Sequence, residues 1–214
     1  MKKDLVEMVF ILDRSGSMSG LEKDTIGGFN QMLEKQKQLP GDALVTTVLF
    51  DHEFQMLHDR LPVKEIKLMT GKEYYVRGST ALLDAVGKSI HHLVSIYKTT
   101  KPSEKPEKTI FIITTDGMEN ASRNYTYKDV KQLIETQKEK YNWEFIFLGA
   151  NIDATEVAEG FGINRDRAAN FHADEEGTVL NYKVISDTLE NLRYNKKIDS
   201  NWKSKIDKDF KNRS

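Results

Sequence analysis

Short apolar runs alternating with amphipathic helical patterns constrain this chain more than any other feature. Runs suited to buried strands lie at 6–12, 44–50, 109–115 and 144–148, with a weaker one at 168–172. Between them, Leu21, Thr25, Phe29, Met32 and Leu33 share one helical face, as do Leu83, Val86, Ile90, Leu93, Val94 and Tyr97. Val130, Leu133, Ile134 and Gln137 predict a third helix, residues 154–161 a short fourth, and Val179, Tyr182, Ile185, Leu189 and Leu192 a fifth. Such alternation predicts right-handed strand-helix-strand units and a parallel sheet covered on both faces. One step departs from it. After 44–50 only Asp51 and His52 precede a further extended stretch, 53–57, a spacing short enough for a hairpin and one antiparallel edge strand. The expected fold is therefore α/β: a Rossmann-like, doubly wound, mostly parallel six-stranded sheet with one antiparallel edge strand and helices on both faces. Its strand order should resemble 3-2-1-4-5-6. Val9, Ile11, Leu49, Ile112, Ile113 and Phe147 are the expected core.

A chain of 214 residues, 38% of them hydrophobic, can close one sizeable core, so residues 1–195 are read as one domain. Residues 196–214 form a charged C-terminal tail in which Ile198, Trp202, Ile206 and Phe210 recur every four positions. That stripe predicts a terminal helix, either docked on its own domain or offered to a partner's groove. A net charge of -1 from 32 basic and 33 acidic residues gives no general affinity for nucleic acid or acidic membranes. The chain has no Cys, which excludes thiolate metal sites and suits a reducing compartment. Lys2 and Lys3 before the apolar run 6–12 imitate a signal peptide, but Asp4, Glu7 and Asp13 interrupt the imitation and no small-residue cleavage site follows. No apolar stretch approaches the roughly 18 residues of a membrane helix. The expectation is a soluble cytoplasmic protein whose sequons at Asn120 and Asn124 go unused.

In open α/β sheets ligands bind where loops leave the carboxyl ends of the strands, so the chemistry should sit there. The first strand ends in Asp13-Arg14-Ser15-Gly16-Ser17, one carboxylate and two hydroxyls in a loop running into a helix. Alone this pattern is weak, arising by chance in about one chain in twenty of this length. Ser17 or Ser19 could equally cap the helix. The run 109–115 ends in Thr114-Thr115-Asp116-Gly117, and a third loop, Gly78-Ser79-Thr80, precedes the second helix, where Thr80 also suits an N-cap. Together, Asp13, Ser15, Ser17, Thr80 and Asp116 resemble, in type and chain order, the five positions of the metal-ion-dependent adhesion site of von Willebrand factor A domains. The likeness is to the stand-alone bacterial type and extends to about Tyr194. It implies that the hydroxyls ligate a cation while the aspartates bind it directly or through water.

The resemblance implies a protein-binding module, not an enzyme: a bound Mg2+ or Mn2+ captures an acidic side chain of a partner protein, in the manner of adaptors beside ATPases. Neutral hydroxyls with few carboxylates suit Mg2+, which keeps waters and an exchangeable position, better than Ca2+, and a His or Cys shell for zinc is absent. The rival is a Mg2+-dependent phosphoester hydrolase. A haloacid-dehalogenase-like enzyme would place a second Asp where Ser15 stands, and only Glu119 offers a nearby base. A third reading is a structural domain with a relict site. Arg14, if exposed, would attract an acidic partner; Glu119 and Asn120 line the rim or face solvent, and Asn151 is a further rim candidate. Gly87-Lys88-Ser89 imitates the end of a phosphate loop, but Leu82 replaces the first Gly and the segment has mid-helix periodicity. His91 and His92, adjacent on a helix, diverge by about 100° and do not clamp one ion.

Overall fold

The structure, a computed structural model, describes residues 1–195 and 197–213, so Lys196 and Ser214 of the predicted tail fall outside the described residues. Strand β1 (Lys2–Asp13) is buried without a break from Leu5 onward, because it is paired on both edges and covered on both faces. On one side lies parallel β2 (Ala43–Phe50), which carries the antiparallel edge strand β3 (Phe54–Pro62). On the other side follow β4 (Pro106–Asp116), β5 (Glu144–Ala150) and β6 (Ala168–Asn170), all parallel. The order is β3-β2-β1-β4-β5-β6, the doubly wound arrangement expected from the sequence. Strand order reverses at β1 and β4, so their carboxyl ends open the crevice in which such folds carry their sites.

Among the described residues six helices clothe the sheet: α1 (Glu22–Gln38), α2 (Leu82–Thr99), α3 (Tyr127–Tyr141), α4 (Ala154–Gly160), α5 (Glu175–Asn195) and α6 (Ser204–Arg213). The period-two alternation of β1 sends Met8, Phe10 and Leu12 into one layer with Phe29 of α1 and Tyr182 and Leu189 of α5. Val9 and Ile11 enter the other, with Val86 and Ile90 of α2 and Ile134 of α3. All six residues expected in the core are at most 2% exposed. Gly28 is a packing requirement: a Cβ there would stand 2.4 Å from the Tyr182 ring, so α1 and α5 approach as they do only over a glycine.

Two elements differ from expectation. The strand expected at 53–57 runs on to Pro62, with register shifts against β2 on either side of Thr47. His58, Asp59 and Arg60 break the apolar alternation that marks a strand in sequence, yet the bulged backbone keeps them in it. Arg60, at φ 49°, uses its turn to place Nε 2.8 Å from Oε2 of the wholly buried Glu7. The tail is the second difference. Only α6 is helical in the stripe, because Asp199 draws the amide of Asn201 to its carboxylate at 2.8 Å and holds the chain in a turn through Trp202. Ile198, Trp202 and Ile206 are nevertheless buried in the layer of α1 and α5, and Trp202 Nε1 donates to the Asp166 carbonyl at 2.7 Å. The described tail is thus docked on its own domain. Trp202→Ala should cost roughly 3–5 kcal/mol, the range for a buried Trp. Chemical denaturation of the full chain measures it, and an unchanged midpoint would contradict this packing.

Candidate metal centre

β1 and β4 bring their last residues, Asp13 and Asp116, to the same end of the sheet. Asp13 ties the two strand ends together: Oδ1 accepts the Ser15 amide at 2.7 Å and Oδ2 accepts the Thr115 hydroxyl at 2.6 Å. Ser15 Oγ lies 3.1 Å from Ser17 Oγ and accepts the Thr80 hydroxyl at 3.0 Å. Gly117 has φ 138°, and a Cβ on it would sit 3.4 Å from Ser17 Oγ, so the loop after Asp116 closes onto the first loop. All five predicted residues therefore converge. Asp13, Ser15, Thr80 and Asp116 are at most 4% exposed, while Ser17 is exposed.

Main-chain bonds stitch the three loops. The Gly16 amide donates to the Gly78 carbonyl at 3.1 Å, that of Arg77 to Arg14 at 2.9 Å, and that of Asn120 to Thr80 at 3.0 Å. Gly78 is required twice over, by φ 66° and because a Cβ there would stand 2.0 Å from His52 Nδ1.

Several single-residue readings change. Thr80 does not cap α2: its hydroxyl serves Ser15, and its own amide goes to Asn120 Oδ1 at 2.9 Å. Glu119 is half-buried and engaged. Its carboxylate accepts the amides of Leu83, Ala121 and Ser122 and the Ser122 hydroxyl, so it clamps the start of α2 to the loop after β4. Ser17 and Ser19 cap nothing, since a one-turn 3-10 segment, Gly16–Met18, intervenes and α1 begins after Leu21 without a side-chain cap. Arg14 is 1% exposed, not a surface cation; its Nε meets Asp51 Oδ2 at 2.8 Å and Nη1 meets Gln55 Oε1 at 2.6 Å. Arg77 Nε reaches the same Asp51 oxygen at 2.8 Å. Asn151, at φ 56°, donates from Nδ2 to Asp116 Oδ1 and so orients that carboxylate.

Burial pushes the Asp13 carboxyl above the usual carboxylate range, against the bonds from Thr115, Ser15 and Asp116 that pull it down. Burial raises Asp116 likewise, with the Asn151 bond opposing. No protein cation relieves either group among the described residues. Two buried, uncompensated carboxylates beside three hydroxyls form a donor set that suits a hard divalent cation. No group of three His, Cys, Asp or Glu among the described residues is placed to hold a metal ion, so an ion held here would depend on the hydroxyls.

A doubly wound sheet with this oxygen-rich cradle at its switch point defines a class of α/β domain. Within that class the protein has the von Willebrand factor A fold. It is similar to proximal thread matrix protein 1 from the mussel byssus, in a form described as having a zinc-occupied adhesion-site motif. That match has 12% identity and TM-score 0.58, covering 86% of this chain and 46% of the mussel chain. The vWF domain of the type V pili tip protein Mfa5 from Porphyromonas gingivalis matches at 11% identity and TM-score 0.59, over 86% of this chain and 94% of that one. A von Willebrand factor type A protein from Catenulispora acidiphila matches at 15% and 0.56, over 87% of this chain and 42% of its own. This chain thus spans about half or less of the mussel and Catenulispora chains. No family profile and no curated protein matches the sequence. No helix among the described residues is long and apolar enough to cross a membrane.

Proposed function

We propose that this domain, residues 1–195 with the tail as part of its scaffold, is a divalent-metal-dependent protein-binding module. In this reading Ser15, Ser17, Thr80, Asp13 and Asp116 hold Mg2+ or Mn2+, and an acidic side chain of a partner protein is captured there. The observation that carries it is the convergence of these five residues from three distant loops, with four buried and Ser17 open to solvent. A bound divalent ion supplies a Lewis acid to which a carboxylate oxygen can bind. The chain's own part is to fix the donors: Asp13 anchors Ser15, Asn120 and Ser15 position Thr80, and Asn151 turns Asp116.

The hydrolase reading loses its base, because Glu119 spends both carboxylate oxygens on the α2 clamp. A cytoplasmic partner within an ATPase-associated complex completes the proposal; the absence of Cys is compatible with that compartment. The test is retention of partner proteins, or of a carboxylate-bearing peptide, with Mg2+, Mn2+, Zn2+ or excess EDTA. Zinc belongs in the series because it occupies the corresponding motif in the mussel protein. Retention should need metal and vanish with Asp116→Ala. Binding that persists in EDTA would refute capture at this site.

A further inference from the structure

Beneath the loop carrying Asp13, between the sheet, α1 and α5, lies a narrow cavity of about 20 Å3. Phe10, Leu12, Ile112 and Leu148 give it largely apolar walls. Five polar side chains also line it: Asp13 and Thr114 at the ends of β1 and β4, and Thr25 of α1 with Thr178 and Asn181 of α5, these last three at most 4% exposed. Among the described residues, neither the oxygen nor the nitrogen of the Asn181 amide has a hydrogen-bond partner, and nor does the Thr178 hydroxyl. The Thr25 hydroxyl lies beside that of Tyr74 without completing a well-formed bond.

Buried polar groups are almost always satisfied, so four orphan atoms around one cavity require a common partner. Thr178 and Asn181, three apart on α5, share a helical face with apolar neighbours such as Tyr182 and Ile185. Shape alone would be filled by hydrophobic residues there. Asp13 also borders the cavity, but its carboxylate oxygens are bonded to Ser15, Thr115 and Asp116 on the loop side, so its charge belongs to the candidate metal centre above and not to this space.

We propose that this cavity is a binding site for internal water, one or two molecules that join α5 to α1 beneath the end of β1. A single water needs about 10–15 Å3 on the same measure, so the space admits one easily and two at most. A buried water makes about three hydrogen bonds. Asn181 offers one acceptor and an NH2 donor, and each hydroxyl offers both roles, which matches that demand within walls that offer little else. An apolar occupant would leave the same atoms unsatisfied. This inference is independent of the metal reading.

A high-resolution crystal structure of the full chain should show density within hydrogen-bonding distance of Asn181 and Thr178. In solution, the Asn181 side-chain amide protons should give cross-relaxation peaks to a long-lived water. Thr178→Val with Asn181→Leu should abolish the density, whereas Asn181→Ser, which keeps a hydroxyl, should retain it. A dry wild-type cavity that takes up xenon under pressure, or an Asn181 amide bonded to protein groups instead, would overturn the proposal without recourse to any variant.

Discussion

Asp116→Ala should lower divalent-cation affinity by at least about 100-fold, because even residues that only orient metal ligands are worth 10–100-fold. Calorimetric titration with Mg2+ and Mn2+ reads it directly. In the metal-free protein the same substitution should leave Tm unchanged or raise it. Asp116 is a buried carboxylate with no cation beside it and only the Asn151 amide as a side-chain partner, so its removal relieves desolvation and sacrifices one bond. Asp13→Ala should abolish metal binding as fully but lose roughly 1–2 kcal/mol of stability as well, since Asp13 also holds Ser15 and the end of β4. Two variants with equal metal defects and unequal stabilities are the expected signature. Metal affinity unchanged in Asp116→Ala would remove this carboxylate from the site.

Asp51→Ala should be the most destabilising polar substitution, at about 3–5 kcal/mol. Asp51 is wholly buried and receives Nε of both Arg14 and Arg77, while Arg14 itself is 1% exposed. Its removal strands a buried guanidinium that retains a hydrogen bond to Gln55, a long contact to the Glu73 carbonyl and the face of the Tyr75 ring at 5.2 Å. For a domain of this size the loss corresponds to a Tm drop on the order of 10 °C. Asp51→Asn keeps an acceptor and should recover part of it, separating hydrogen bonding from charge. Thermal unfolding of the metal-free protein is the measurement, and a loss below about 1 kcal/mol for Asp51→Ala would show that Arg14 finds other compensation.

The sheet was legible because it depends on local pattern, and the five oxygen-bearing residues because their type and order resemble a known site. A buried parallel strand announces itself as an apolar run, and the residue that ends it must lie at the active end of the sheet. What was not legible depends on contacts across long stretches of chain. Glu119 meets the Leu83 amide 36 residues away, and Arg14 meets Asp51 at a separation of 37. Nothing in the vicinity of either residue tells a clamp from a solvent-facing charge. The helix of the tail is shorter than its stripe for a local reason instead: the apolar spacing is helical, but the turn at Asp199 competes with the first half of the helix. A short polar residue two places before another amide was the available signal.

The two rims of the sheet determine how another chain can approach. On β3 the pairing shifts register twice, Arg60 sits in the left-handed region, and the strand closes at Pro62, which has no amide to donate. At the other rim β6 is only three residues long, and Lys203 Nζ donates to the Ala168 carbonyl at 2.6 Å while the Trp202 indole takes the carbonyl of Asp166. Neither rim presents the straight row of free amides and carbonyls that strand addition needs, so edge-to-edge self-association and partner capture by β-augmentation are both disfavoured. A tail that looks like an appendage in sequence thus acts as an edge guard, leaving the loop-bearing end of the sheet as the face on which recognition can evolve.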